Sequence, residues 1–270
     1  MRTKVGLIIM TGFLFFHCHS DVPSRQPIMQ SQTLDSGFHA ELPKAHTRDF
    51  SSDELLGRFE PATHPDFVKI QTTHTSKSEA YLRADAYTAF VSMYDAARKD
   101  GITLTIISAT RNFSAQKGIW EAKWNGDRLV EGKNLKTDVK DSVERARMIL
   151  RFSSMPGTSR HHWGTDIDIN NLENQYFANG KGKLEYEWLV KHAGNYGYYQ
   201  PYTVKDSLRP YGYEEEKWHW SYLPLSKQMT QQYKDKITTD SISGFKGSGT
   251  AGLIDVINRY VLGIHPEGLP

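Results

Sequence analysis

The mixed order of strand-like and helix-like stretches in this sequence permits an α+β fold, and three stretches carry that reading. Leu82, Ala86, Phe90, Met93 and Ala97 recur at helical spacing until Gly101 ends the run. Ile102 to Ile107 is short, β-branched and apolar, as a buried strand is. Asp166, Ile167, Asp168, Ile169 and Asn170 alternate polar with apolar, which predicts a strand carrying Asp166, Asp168 and Asn170 on one face. At 270 residues the chain is long enough for one domain with a sizeable core plus extensions. Its 38% apolar and 24% charged residues fit a globular protein with a polar surface. A net charge of +2, with no long basic run, gives no footprint for nucleic acid.

Residues 1–20 read as an export signal. Arg2 and Lys4 precede the apolar run Val5 to Phe16, and polar residues follow from His17. Twelve helical residues extend about 18 Å, short of the roughly 30 Å of a bilayer core. Cys18, the only cysteine, falls where a lipoprotein would be cleaved and acylated, although Phe15-Phe16-His17 departs from the small residues usual there. Cleavage after Ser20 fits the small-x-small rule equally well. A lipid anchor at Cys18 is the one membrane contact expected, and the expected location is the periplasm or cell envelope. Residues 21–48 are rich in Ser, Gln, Pro, Thr and His without an apolar period, which suits a polar tether.

A folded domain is expected over 49–234. His64-Pro65-Asp66 reads as turn chemistry. Ser76 to Glu79 has the form of a capping box for the helix that contains Leu82 to Ala97. The strand after Gly101 delivers Arg111 to a loop, a common way to aim a cation into a cleft. Trp120 and Trp124 lie one turn apart on the face of Gln116 and read as packing residues. Residues 125–140 read as a polar surface loop or flap, Asp141 to Phe152 as a helix, and Ser153 to Thr158 as a turn. Leu184, Trp188, Leu189 and Ala193 suggest another helix, and Tyr196, Tyr198, Tyr199 and Tyr202 are candidates to wall a cleft. Pro224 to Tyr233 reads as a helix. Residues 235–270 read as a Ser/Gly/Thr/Lys linker up to 248 and then an amphipathic helix of Leu253, Val256, Ile257, Tyr260 and Val261 that caps the domain.

The chemistry concentrates in Ser159-Arg160-His161-His162-Trp163-Gly164-Thr165-Asp166-Ile167-Asp168 and in Glu216-Lys217-Trp218-His219. Two imidazoles, a carboxylate and one open position are how catalytic zinc is held, and a nearby carboxylate can take a proton from water. The set therefore reads as a site for one Zn²⁺ ion, with His161, Asp168 and His219 as ligands and Glu216 as base. His162 points away from it if the backbone is extended, and His192 reads as a partly exposed structural residue. No H-E-x-x-H occurs.

These residues resemble the zinc D-alanyl-D-alanine carboxypeptidases of VanY type, among the LAS-type metallopeptidases. That family's signatures run S-x-H-x-x-G-x-A-x-D and E-x-W-H. Ser159, His161, Gly164 and Asp168 match the first, and Glu216, Trp218 and His219 match the second. Asp166 stands where the family has a small apolar residue, as a partner behind a ligand, a competing ligand or a subfamily trait. A third family pattern, S-x-Y-R-S-x-x-x-Q, is matched at Ser108, Arg111 and Gln116, with Thr110 and Asn112 replacing its Tyr and second Ser.

The resemblance covers roughly residues 50–225. It implies an α+β, zinc D,D-peptidase (hedgehog-like) fold with an antiparallel central sheet flanked by helices. It also implies removal of the terminal D-alanine from peptidoglycan stem peptides. In that scheme Arg111 stabilises the oxyanion, and Gln116 and Ser159 help to hold substrate. The alternatives are an endopeptidase cutting within stems or cross-links and a non-catalytic wall-binding lipoprotein.

Overall fold

In a computed structural model of the chain, residues 47–270 are described. The export signal and residues 21–46 of the tether lie outside the described residues. The described chain begins on helix α1 (Ser52–Leu56), whose N-cap Ser51 and Glu54 form a reciprocal capping box. Strands β1 (Phe67–Lys69) and β2 (Tyr81–Arg83) pair antiparallel, and helix α2 (Ala84–Lys99) follows β2 without a loop. The helix therefore starts later than Ser76 to Glu79 suggests. Leu82 pairs with Val68 across the ribbon, and the strand, not a helical turn, satisfies the backbone there.

Strand β3 (Ile106–Ser108) is only the end of the expected 102–107 run. Helix α3 (Phe113–Trp124) is capped by Asn112, whose side chain accepts from the Ala115 N–H. Short helix α4 (Leu135–Asp138) and helix α5 (Ser142–Ile149) follow. The stretch 125–140 is thus more than a surface loop, because Leu135 and Val139 are buried with Trp120 and Trp124. Strand β4 (Asp166–Ile169), helix α6 (Gly180–His192), strand β5 (Tyr198–Tyr199), strand β6 (His219–Tyr222) and helix α7 (Leu223–Lys236) complete the central part.

The main sheet runs β3-β4-β6-β5, and every neighbouring pair is antiparallel. Alternation divides its residues. Ile167, Ile169, Trp220 and Tyr222 join the core with Ala86, Phe90, Met93 and Ala97 of α2 and Trp188 and Leu189 of α6. Asp166, Asp168, His219 and Ser221 occupy the alternate positions, and every residue of β4 and β6 is buried. This is the expected antiparallel α+β architecture. Asn170 does not continue the face of Asp166 and Asp168. It leaves the strand at φ 64°, accepting from the Thr105 N–H at 2.7 Å and donating to the Thr103 carbonyl at 2.8 Å.

Residues 235–248 are not an open linker. Ile242 and Phe245 are buried in a second core with Trp120 and Trp124, and Trp120 Nε1 donates to the Lys246 carbonyl at 2.9 Å. The tail helix is broken. Helix α8 (Ala251–Ile254) ends at Asp255 in the left-handed conformation, and a π-helical turn covers Ile257–Val261. Ile254 and Val256 enter the second core, whereas Leu253 is left exposed by the break.

Candidate metal centre and cleft

Antiparallel pairing sets Asp168 opposite His219, so residues 51 apart in sequence share one spot on the polar face. The third member comes from the single 3₁₀ turn Arg160–Trp163 just before β4. That turn ends at Gly164, φ 71°, where a Cβ would collide with the Phe67 ring. Only glycine lets the chain reverse there. One ligand atom from each of His161, Asp168 and His219 lies within 4.8 Å of the others, and all three residues are buried.

The hydrogen bonds decide which nitrogens face inward. His161 Nδ1 lies 2.9 Å from the Ala109 carbonyl, which can only accept, so Nδ1 carries the proton. His161 Nε2 then presents its lone pair 3.3 Å from Asp168 Oδ2. His219 Nε2 donates to the Asp166 carboxylate at 2.8 Å, leaving Nδ1 3.1 Å from Asp168 Oδ1 and 3.3 Å from Glu216 Oε2. In the neutral imidazoles, lone pairs of two nitrogens and a carboxylate face one another. Asp168 Oδ1 has no aligned hydrogen-bond donor. Such a cluster is stabilised by a cation at its centre.

Asp166 is held differently. Its Oδ2 accepts from Arg160 Nε at 3.0 Å as well as from His219, and its Oδ1 accepts from Thr165 at 2.6 Å and Ser221 at 2.7 Å. Both oxygens are engaged, so Asp166 stands behind His219 and does not compete for its inner face. Burial alone would raise the Asp166 pKa, but the Arg160 ion pair and the His219 bond hold it well below the usual range. Arg160 is itself buried, donating to Thr230, Tyr199 and Ser221 and lying 4.6 Å over the Trp163 ring. This supporting network was legible in the sequence only as polar neighbours of the motif.

His162 is turned away, although the backbone is a 3₁₀ turn and not extended. Its Nδ1 donates to the Arg111 carbonyl at 2.6 Å, and its Nε2 accepts from the Gly157 N–H at 3.0 Å. Burial pushes its pKa down to about 3, against the opposing pull of the Arg111 carbonyl. His64 Nδ1 accepts from the Asp66 N–H, as turn chemistry requires, and His192 is half-buried beside Trp188.

A cleft of about 640 Å³ opens over the cluster, lined among others by Arg111, Gln116, Ser159, Tyr202, Glu216 and Trp218. Burial raises the Glu216 pKa, and the adjacent His219 opposes the shift in part. Arg111 is tied by its N–H to the His161 carbonyl, while its Nε is buried without a partner. Gln116 donates from Nε2 to the Ser154 carbonyl, but its Oε1 and Ser159 Oγ are buried and unpartnered. Of the four tyrosines expected to wall the cleft, Tyr202 does so, its ring tilted against that of His219 with the centroids 4.7 Å apart. Tyr198 instead enters the main core, Tyr196 packs against it, and Tyr199 receives Arg160. Tyr213, Lys123 and Arg128 also line the cleft and were not singled out by sequence for that role.

The VanY family model, described as D-alanyl-D-alanine carboxypeptidase, matches residues 79–225, more than half of the chain. The chain belongs to this family. The VanY match contains Arg111, His161, Asp168, Glu216 and His219. YodJ of Bacillus subtilis is 28% identical over 175 residues, covering 63% of this chain and 56% of that protein. The chain thus spans little more than half the length of that relative. The D-alanyl-D-alanine carboxypeptidase of Enterococcus faecalis is 27% identical over 236 residues, covering 82% of this chain and 81% of the other. Among solved structures, the LD-carboxypeptidase LdcB is similar at 25% identity and a TM-score of 0.47, over 66% of this chain and 76% of LdcB. VanYB in complex with D-alanine-D-alanine is similar at 20% identity and a TM-score of 0.46, over 66% and 93%.

Proposed function

We propose that the chain is a zinc-dependent D-alanyl-D-alanine carboxypeptidase that removes the terminal D-alanine from peptidoglycan stem peptides. The observation that supports it most is the convergence of His161 Nε2, Asp168 and His219 Nδ1, with Glu216 Oε2 3.3 Å from the same nitrogen. Two neutral imidazoles and one carboxylate suit a single zinc ion, which when bound supplies Lewis acidity to a carbonyl and to water. Glu216 is placed to take the proton of the attacking water and to return it to the leaving amine, and its raised pKa suits both steps. The Arg111 guanidinium, its Nε free, offsets the charge that develops on the scissile carbonyl. Gln116 Oε1 and Ser159 Oγ orient the peptide in the cleft. The apolar run Val5 to Phe16 supports export, which would bring the enzyme to its polymer.

The test is mass spectrometry of pentapeptide stems incubated with the purified chain, with zinc or with a chelator. Loss of a single D-alanine, abolished by the chelator, is the expected result. Internal cleavage would replace this reading with an endopeptidase, and binding of stems without cleavage would replace it with a wall-binding role.

A further inference from the structure

Glu216 lies in a stretch, 200–218, that is neither helix nor strand. It comes three positions before β6 begins, so no strand ladder fixes it, whereas Asp168 and His219 face each other across paired strands. A proton-transferring group must nevertheless be held within about 0.5 Å of its working position. Contacts from other parts of the chain have to supply that constraint.

Asn174 grips the backbone on both sides of Glu216. Its Nδ2 donates to the Glu215 carbonyl at 2.7 Å, and its Oδ1 accepts from the Lys217 N–H at 3.1 Å. The reversed carboxamide would set donor against donor and acceptor against acceptor, so its orientation is fixed. Within the stretch itself, Gln200 Nε2 donates to the Glu216 carbonyl at 3.1 Å, and the Glu216 N–H donates to the Tyr202 carbonyl at 2.9 Å. Asn174 is set in turn by the loop that leaves β4. It follows Asp168 by six positions, its carbonyl accepts from the Phe177 N–H at 3.1 Å, and Phe177 is buried. One carboxamide thus ties the segment leaving the strand of Asp168 to the segment entering the strand of His219.

We propose that Asn174 is the positioning residue of Glu216: by clamping the two flanking residues it keeps the Glu216 carboxylate turned toward His219 Nδ1, from which Oε2 lies 3.3 Å away. Asn174 carries no charge, so its removal leaves the charges of the cleft as they are and acts through placement alone. Without it, two peptide groups lose their partners and the irregular stretch regains backbone freedom around the base. The effect on turnover rests on the carboxypeptidase reading, whereas the effect on the placement of Glu216 does not.

The experiment compares the full chain with Asn174→Ala and with Asn174→Leu, which keeps the shape of the side chain if the smaller residue fails to fold. Nuclear magnetic resonance on the zinc-loaded protein reads placement without turnover. The χ1 couplings of Glu216 should report one rotamer in the parent and averaging in the variants, and the Lys217 amide should exchange about tenfold faster. In D-alanine release, kcat should fall about ten- to a hundredfold with KM within about twofold and zinc still at one equivalent. In a Glu216→Gln background the same substitutions should change the residual rate by about twofold or less, because a residue that acts through Glu216 has nothing left to position. Unchanged Glu216 couplings and Lys217 exchange in the folded variants would overturn the inference. An equal loss of rate in both backgrounds would also overturn it, by assigning Asn174 to general structure. A Glu216 freed in the variants of a chain whose parent releases no D-alanine would retain the clamp and remove the carboxypeptidase reading.

Discussion

Asp166 accepts a hydrogen bond from His219 Nε2 at 2.8 Å, and this one contact makes Nδ1 the nitrogen that faces Asp168 and Glu216. Asp166 and His219 are diagonal neighbours across β4 and β6, where side chains on one face come within reach. A carboxylate behind a ligating imidazole fixes its tautomer and raises its basicity.

Asp166→Asn is therefore expected to lower zinc affinity by about 10–100-fold while keeping the fold, read by titration against a competing chelator. Asp166→Ala also strands the buried Arg160 guanidinium and is expected to lower unfolding free energy by about 3–5 kcal/mol. Unchanged zinc affinity in Asp166→Asn would deny this carboxylate any part in holding the ion.

Glu216→Gln should retain one equivalent of zinc and lose turnover by about 10²–10⁴-fold. Elemental analysis and a D-alanine release assay on the same preparation separate the two effects. A near-normal rate would remove Glu216 from its role as base.

His162 tests the assignment from the opposite side. Both ring nitrogens are engaged by the backbone of Arg111 and Gly157, and the ring packs so closely on Gly57 that a Cβ there would lie 2.5 Å from it. His162→Ala is expected to keep zinc stoichiometry at one and to destabilise the fold by about 2–4 kcal/mol, through lost hydrogen bonds and a cavity. Loss of the ion in a folded His162 variant would mean that the neighbouring imidazole had been misassigned.

The Glu54 carboxylate accepts from buried Arg83 at 2.9 Å and completes the capping box of α1. Burial would raise its pKa, but the Arg83 and Ser51 bonds overcome this and hold it below its usual 4.5. As pH falls, the unfolded chain binds this proton before the folded one does, so the contribution is complete above about 4.5 and drains away below it. Glu54→Gln should be less stable than the parent by about 1–2 kcal/mol at pH 7, with the gap narrowing below pH 4. Urea unfolding at several pH values measures it. A gap independent of pH would assign the effect to packing.

The inward trio could be read before any fold was known because each piece sits in a short segment whose spacing is itself the signal. Asp168 lies seven positions after His161, and His219 lies three positions after Glu216. Stripes such as Phe90, Met93 and Ala97 were equally legible, since helical periodicity is local. The boundaries failed where a distant partner took over the backbone, as Val68 did for Leu82 and Asn170 for Thr103 and Thr105. Residues 235–248 failed for a related reason: Ile242 and Phe245 show no period, yet they insert into a core built by α3 and α5.

By itself, then, the sequence determined the kinds of donor present, their local spacing and the faces of the strand and helices that carry them. Only the tertiary structure decided that Asp166 lies behind His219 and not beside it, that His162 turns toward Arg111, and that Lys123 and Arg128 line the same cleft as Arg111 and Glu216. Those outcomes depend on partners distant in the chain, and β-pairing, burial and the exclusion of water select among them. No local pattern of residue types encodes that selection.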